Sequence, residues 1–255
     1  MRIPKFSLYE NREPCMDGLA RFERHFSEIE DCIPPAKWVP WDGRFNWRFV
    51  ERTPGQLLVQ KLARQVSALH AIDMLLMAGR LPDIGTLYRQ LDEIAEDVAF
   101  VSLGLIKEVW TSDHQAYTDY FWSEDGPRGP SVQRKTIRNF VNSNSGQSDV
   151  TAANRTGRFI HGAYSDFVHA RSAPTMGMMK GPPPRFNLNG VFDEGARAPY
   201  DEQHPAYFYR GLISCGMVAK ALLPDEKNSE VFDDVKAYER AYGSLLFPEE
   251  RMASR

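Results

Sequence analysis

From Ile84 to Leu105 the apolar residues Ile84, Leu87, Leu91, Ile94, Val98, Val101 and Leu105 recur at alternating intervals of three and four. That period draws one continuous stripe along an α-helix. A strand, whose side chains alternate every second residue, cannot carry it. Strict three-four alternation is the pattern of closely packed helix pairs, so this segment requires helical partners. Between Val98 and Ile106 the sequence turns apolar on nearly all sides, which predicts that the C-terminal half of the helix is central and buried.

The partners are visible in the same way. Thr53-Pro54-Gly55-Gln56 opens a helix, with Thr53 as cap, Pro54 at the first helical position and Gln56 completing a capping box. It runs to Ala78 and stops at Gly79, and Leu58, Leu62, Leu69, Ile72 and Leu76 mark its buried face. An earlier helix spans Asp17 to Ile33 on Leu19, Phe22, Phe26 and Ile29, ending before Pro34-Pro35. Later helices are expected over Ser112–Glu124, Ser131–Val141, Asp149–Arg171, Asp201–Leu223 and Ser229–Leu246.

Two stretches resist this pattern. Ile33 to Val50 holds Trp38, Trp41, Phe45, Trp47 and Phe49 among prolines and a glycine, and reads as an irregular strap laying aromatic side chains over the bundle. Ser172 to Tyr200 carries three methionines, Pro182-Pro183-Pro184 and several glycines, and reads as a long Pro/Gly loop. No run of alternating β-branched strands occurs, and Asn189-Gly190 has no strand partners around it. The expectation is an all-α fold: one bundle of about seven helices in a single domain over 1–255, its core formed by 54–171 and 201–246.

Composition narrows the setting. Cys15, Cys32 and Cys215 are odd in number and far apart, which argues against a disulfide framework and a cysteine zinc site and suits a cytoplasmic protein. No run of about eighteen uncharged apolar residues exists, so no membrane is expected among the partners. Net charge is −3, but from Arg128 to Arg185 nine basic residues face two acids, leaving that segment at +7. Such asymmetry favours an anionic partner, or else the basic segment packs against the acidic remainder of the chain.

Within the basic segment, Arg158, His161, Ser165 and His169 stand three or four residues apart, with Arg155 flanking them. On a helix all lie within about a third of the circumference. Two imidazoles, a hydroxyl and two guanidiniums in register can bind an anion or move a proton. They can equally form a polar seam bonded to neighbouring helices. A second candidate is Arg89, which shares a helical face with Glu93 and Glu96. No paired Glu-x-x-His, no His-Glu-x-x-His and no phosphate-cradling glycine loop occurs, so neither metal nor cofactor is expected.

Arg155-Thr156-Gly157-Arg158-Phe159-Ile160-His161 resembles the Arg, four to six residues, His motif of the HEPN superfamily. The pairing of Arg89 with Tyr164-Ser165-Asp166-Phe167-Val168-His169 is similar to an uncharacterised bacterial helical family. The HEPN resemblance implies a metal-independent ribonuclease of toxin or phage-defence type. RNA would be the substrate, His161 would move protons and Arg155 would stabilise charge on the phosphorane, in a cleft between two protomers. Arg158, Ser165, His169, Arg89 and Tyr164 would then bind the substrate. The alternative is a non-catalytic helical module binding a small anionic ligand or a partner protein through the same stripe and the loop that follows it.

Overall fold

The computed structural model describes residues 8–123, 132–146 and 149–246. Nine helices and two short hairpins occur among them. In chain order these are α1 (Arg12–Glu30), β1 (Lys37–Trp41), β2 (Arg44–Arg48), α2 (Pro54–Met77), α3 (Leu81–Ile106) and α4 (Ser112–Trp122). Then come α5 (Arg134–Asn144), α6 (Val150–Val168), α7 (Ser172–Met176), β3 (Met179–Lys180), β4 (Arg185–Phe186), α8 (Glu194–Leu222) and α9 (Asp225–Leu246). Within α6 the side chains of Ala153, Thr156, Ile160, His161 and Ala163 lie outside the described residues.

The all-α expectation holds. α2 begins with the anticipated capping box: Gln56 N–H donates to Thr53 Oγ1 at 3.2 Å and Thr53 N–H to Gln56 Oε1 at 3.1 Å. All five apolar residues assigned to its inner face are buried. The stripe of α3 is buried at Ile84, Leu91, Ile94, Val98 and Val101, and Val98 to Gly104 is buried without a break. α8 packs on α1, α2, α3 and α9, so it forms the axis around which the others gather. Phe22, Leu62, Leu69, Tyr88 and Phe208 fill the space between them. α1 therefore belongs to the core and extends it beyond the expected 54–171 and 201–246. α4, α5 and α6 cover the remaining sides of α3.

Two expectations are corrected. The strap over 33–50 is a β-hairpin, with Trp38 opposite Trp47 and Trp41 opposite Arg44. Its turn residues Asp42 and Gly43 both have positive φ, 47° and 71°, the left-handed pair of a two-residue hairpin turn. Its aromatics do not cover the core: Trp38, Phe45 and Trp47 are 54%, 56% and 65% exposed.

The segment 172–200 is not one loop. It holds α7, the β3–β4 pair and the first two turns of α8, which starts seven residues earlier than expected. Pro199 and Pro205 lie inside α8, where proline removes a helical donor. The Asp201 carbonyl that Pro205 leaves without its helical partner accepts a hydrogen bond from Asn11 Nδ2 at 2.9 Å, so the helix continues. The end of the segment is fastened to the α2–α3 turn, where Val191 N–H donates to the Gly79 carbonyl at 2.7 Å. Gly79 has φ +66°, and a Cβ there would sit 2.7 Å from the Val191 oxygen, so both conformation and contact require glycine.

Candidate functional site

α3 carries two contrasting polar faces. On one, Arg89, Glu93, Glu96 and Asp97 face α2, α4 and α5, and Arg134 and Arg138, one turn apart on α5, reach across to them. Arg138 Nε donates to Glu96 Oε1 at 2.7 Å, and Arg134 Nη2 to the Glu93 carbonyl at 2.7 Å. Arg134 Nη1 also bonds Asp97 Oδ1, and Lys61 Nζ reaches the other Asp97 oxygen at 2.7 Å. Lys61 further lies over the rings of Tyr117 and Phe121, at 5.6 and 5.4 Å. Burial raises the pKa of Glu96, while Arg134 and Arg138 oppose that shift.

Lys61, Arg89, Glu93, Asp97 and Arg134 line a cleft of about 580 Å³ together with Tyr117, Phe121 and Ile137, and the Glu96–Arg138 pair lies behind them. Its volume is that of a small-ligand site. Arg89 is its informative member. Its Nε donates to Glu93 Oε1 at 3.2 Å, as the i,i+4 spacing predicts, but Nη1 is buried with no hydrogen-bond partner among the described residues. A buried guanidinium N–H left unpaired costs free energy, and an anion in the cleft would supply its acceptor.

On the other face of α3 the polar groups are closed off. Tyr88 is fully buried, stacks on Tyr207 with ring centroids 3.9 Å apart, and shares a 2.5 Å hydrogen bond with His204 Nδ1. Burial lowers the His204 pKa to about 3, so the ring is neutral. Beside it Tyr9 donates to Asp73 at 2.9 Å, and Arg12 grips both Asp73 oxygens at 3.0 and 3.1 Å. His114 is likewise structural. Its ring lies parallel to Phe100 at 4.0 Å, and Nε2 meets the Phe100 carbonyl at 3.1 Å.

Arg155, Arg158 and His169 of the α6 stripe face outward. The helix docks on α3 through its opposite side: Phe167 lies where a Cβ on Gly85 would be, and Tyr164 packs edge-on to Tyr88 at 5.6 Å. Arg155, Arg158 and His169 are exposed, and Ser165 is half-buried. The Tyr164 hydroxyl donates to Gln203 at 3.1 Å. Phe159, between the arginines and His161, is 78% exposed. The side chain of His161 lies outside the described residues. Arg89 thus joins the α2–α5 cleft, whose lining includes none of the stripe residues.

Sequence reasoning did not bring Lys61, Arg134, Arg138, Asp97 and Tyr117 to the site. A signal was present in two helices with complementary charge at helical spacing, Arg134/Arg138 against Glu93/Glu96/Asp97. Comparison of the chain with family models, curated proteins and solved structures gives no match. Among the described residues no helix is long and apolar enough to cross a membrane.

Proposed function

We propose that the protein is a non-catalytic helical module that binds a small anionic ligand in the cleft between α2, α3, α4 and α5. The supporting observation is the buried Nη1 of Arg89, without a partner among the described residues, in a cavity that Lys61 and Arg134 also line. With Arg138, four cations meet three carboxylates there, so the cluster keeps one positive charge in excess. Phosphate or a carboxylate would accept from Arg89 and neutralise that excess. The test is thermal unfolding with inorganic phosphate and pyrophosphate. The melting temperature should climb with ligand concentration, as binding to the native state alone requires. Arg89→Met should abolish the rise. An unchanged melting temperature up to about 10 mM of either anion would end this reading.

A second reading keeps the ribonuclease that the HEPN resemblance implies. It is favoured by the outer face of α6, where exposed Arg155, Arg158 and His169 surround an exposed Phe159. A second protomer covering Phe159 would enclose Arg155, Arg158 and His169 in a shared cleft. In this reading the protein cleaves RNA in the presence of chelator, and His161→Ala and Arg155→Ala abolish cleavage. Intact RNA after prolonged incubation with the wild-type protein would remove it. Phosphate binding that survives both substitutions would place the anion at Arg89.

A further inference from the structure

The β1–β2 hairpin presents a second surface, independent of the cleft. Strand alternation and register place Trp38 and Pro40 of β1 on one face with Trp47 and Phe45 of β2. Trp38 contacts both ring partners, Trp47 at 5.2 Å and Phe45 at 6.3 Å between centroids, so the side chains form one continuous aromatic sheet. None of the four is buried, and the three aromatics are more than half exposed. The face holds no charged residue.

The aromatic face is not what fastens the hairpin to the bundle. The other face carries Val39, Trp41 and Arg48, with Arg48 stacked over Trp41 at 4.5 Å. It looks across a cleft of about 980 Å³ toward Phe121 and Trp122 of α4. Pro40 and Trp47 also border that cleft, yet Trp47 stays 65% exposed, and Trp38 and Phe45 are likewise more than half exposed. Exposed tryptophans in a contiguous patch mark an interaction surface.

Charge identifies the partner. From 37 to 52 the cations Lys37, Arg44, Arg48 and Arg52 outnumber the carboxylates Asp42 and Glu51 by two, in a chain whose net charge is −3. Arg44, beside the turn and opposite Trp41, and Lys37, opposite Arg48 and paired with Glu51, project from the other face, and Arg52 lies beyond β2, so the cations flank the apolar face and do not interrupt it. Aromatic side chains with an apolar body and a polar edge settle at the boundary between lipid headgroups and acyl chains, and flanking cations add attraction to anionic headgroups. We infer that this hairpin is a peripheral attachment site for an anionic bilayer surface, with Trp38, Phe45 and Trp47 seated in the interface and Arg44 and Arg52 against lipid phosphates. Such seating crosses nothing and needs no spanning helix.

The test is co-sedimentation of the full chain with vesicles of phosphatidylcholine alone and of phosphatidylcholine mixed with phosphatidylserine. The protein should sediment with the mixed vesicles, and raised salt should weaken the binding. Trp38→Ala with Trp47→Ala should lower affinity at least about ten-fold with no change in melting temperature, because both side chains are exposed. Arg44→Glu should reduce the preference for phosphatidylserine about five-fold or more while leaving the tryptophan contribution intact. Failure to sediment with either vesicle overturns the inference, as does undiminished binding by the double variant. A single-stranded oligonucleotide that displaces the protein from vesicles, and whose binding the double variant loses, would overturn it and assign the face to base stacking.

Discussion

The two faces of α3 hold their neighbours by opposite means. Toward α8, Tyr88 stacks on Tyr207 and bonds a neutral His204, and every charge has been excluded or, like Asp73, tied to a close partner. Toward α4 and α5, charge is accumulated: Lys61, Arg89, Arg134 and Arg138 interleave with Glu93, Glu96 and Asp97 around an open cleft. The first face turns its polar groups inward, and the one ring nitrogen it leaves unpartnered among the described residues, His204 Nε2, belongs to a neutral side chain. The second leaves an N–H of a charged guanidinium without an acceptor among the described residues, beside an open cleft. Histidine and tyrosine on a bundle helix are therefore poor guides to function in this molecule, whereas an incompletely paired arginine is a good one. Asp92 lies on the seam between the faces, bonded to Arg210 at 2.5 Å through one oxygen, while its Oδ2 is buried without a partner among the described residues.

The largest effect should come from opening the closed face. Tyr88→Ala removes a fully buried ring, leaves a cavity beside Tyr207 and deprives His204 Nδ1 of its hydrogen-bond partner. The expected loss is about 3–5 kcal/mol. Tyr88→Phe keeps the stacking and loses only the hydrogen bond, about 1–2 kcal/mol. Urea unfolding at constant slope measures both. If the two variants proved equally unstable, the hydrogen bond to His204 and not the packing would be what holds this face.

The sequence carried this contrast unevenly. The apolar period of α3 and the capping box of α2 were legible because both are local patterns, and the structure keeps them. The hairpin was hidden although Asp42-Gly43 is a strong two-residue turn signal. Pro40 and the crowd of aromatics around it masked the alternation. The start of α8 was hidden because Pro199 stands two residues before the expected start at Asp201, at the end of a Pro/Gly-rich stretch, whereas Pro205 already lay inside the expected helix, and the hydrogen bond from Asn11 that accommodates it comes from almost two hundred positions away. Within the site, Arg89–Glu93 could be read from one helix, but the convergence of Lys61, Arg134 and Arg138 depends on how three helices pack. The α6 stripe was visible as a stripe. Its outward direction was written in Gly157, Tyr164 and Phe167 on the opposite side, the residues small or apolar enough to face α3 and α5.

An intermediate effect is expected on the charged face. Arg134→Met strips Asp97 and Glu96 of one cation each and removes the side-chain hydrogen bond to the Glu93 carbonyl. Lys61 still holds Asp97 and Arg138 still holds Glu96, so the loss should be about 1–3 kcal/mol and not the larger cost of an isolated buried charge. Arg134→Lys should recover only part of it, since an ammonium cannot span three acceptors in a planar fork. High salt should narrow the difference between wild type and Arg134→Met, whereas the Tyr88 variants should be indifferent to it. Equal salt response in both sets would mean that the faces do not differ as described.

The smallest effect belongs to the seam. Burial pushes the Asp92 pKa up to about 6, against the pull of Arg210. A carboxyl whose folded pKa is raised binds more protons in the native than in the unfolded state. Its contribution to stability is therefore fully present below the ordinary carboxylate pKa and is lost as pH rises to about 6. Asp92→Asn keeps the size and an acceptor for Arg210 but cannot ionise. Relative to wild type, this variant should gain on the order of 1 kcal/mol between pH 4 and pH 6 and hold that gain above it. His204 has the opposite sign. With its folded pKa lowered to about 3, it contributes stability above the ordinary histidine pKa that is lost as pH falls toward 3. In the wild-type protein the two slopes partly cancel between pH 4 and pH 6. Asp92→Asn should therefore expose the histidine slope as a steeper loss of stability on acidification. A pH–stability curve for Asp92→Asn parallel to the wild-type curve would show that Asp92 is already ionised throughout this range and belongs with the charged face.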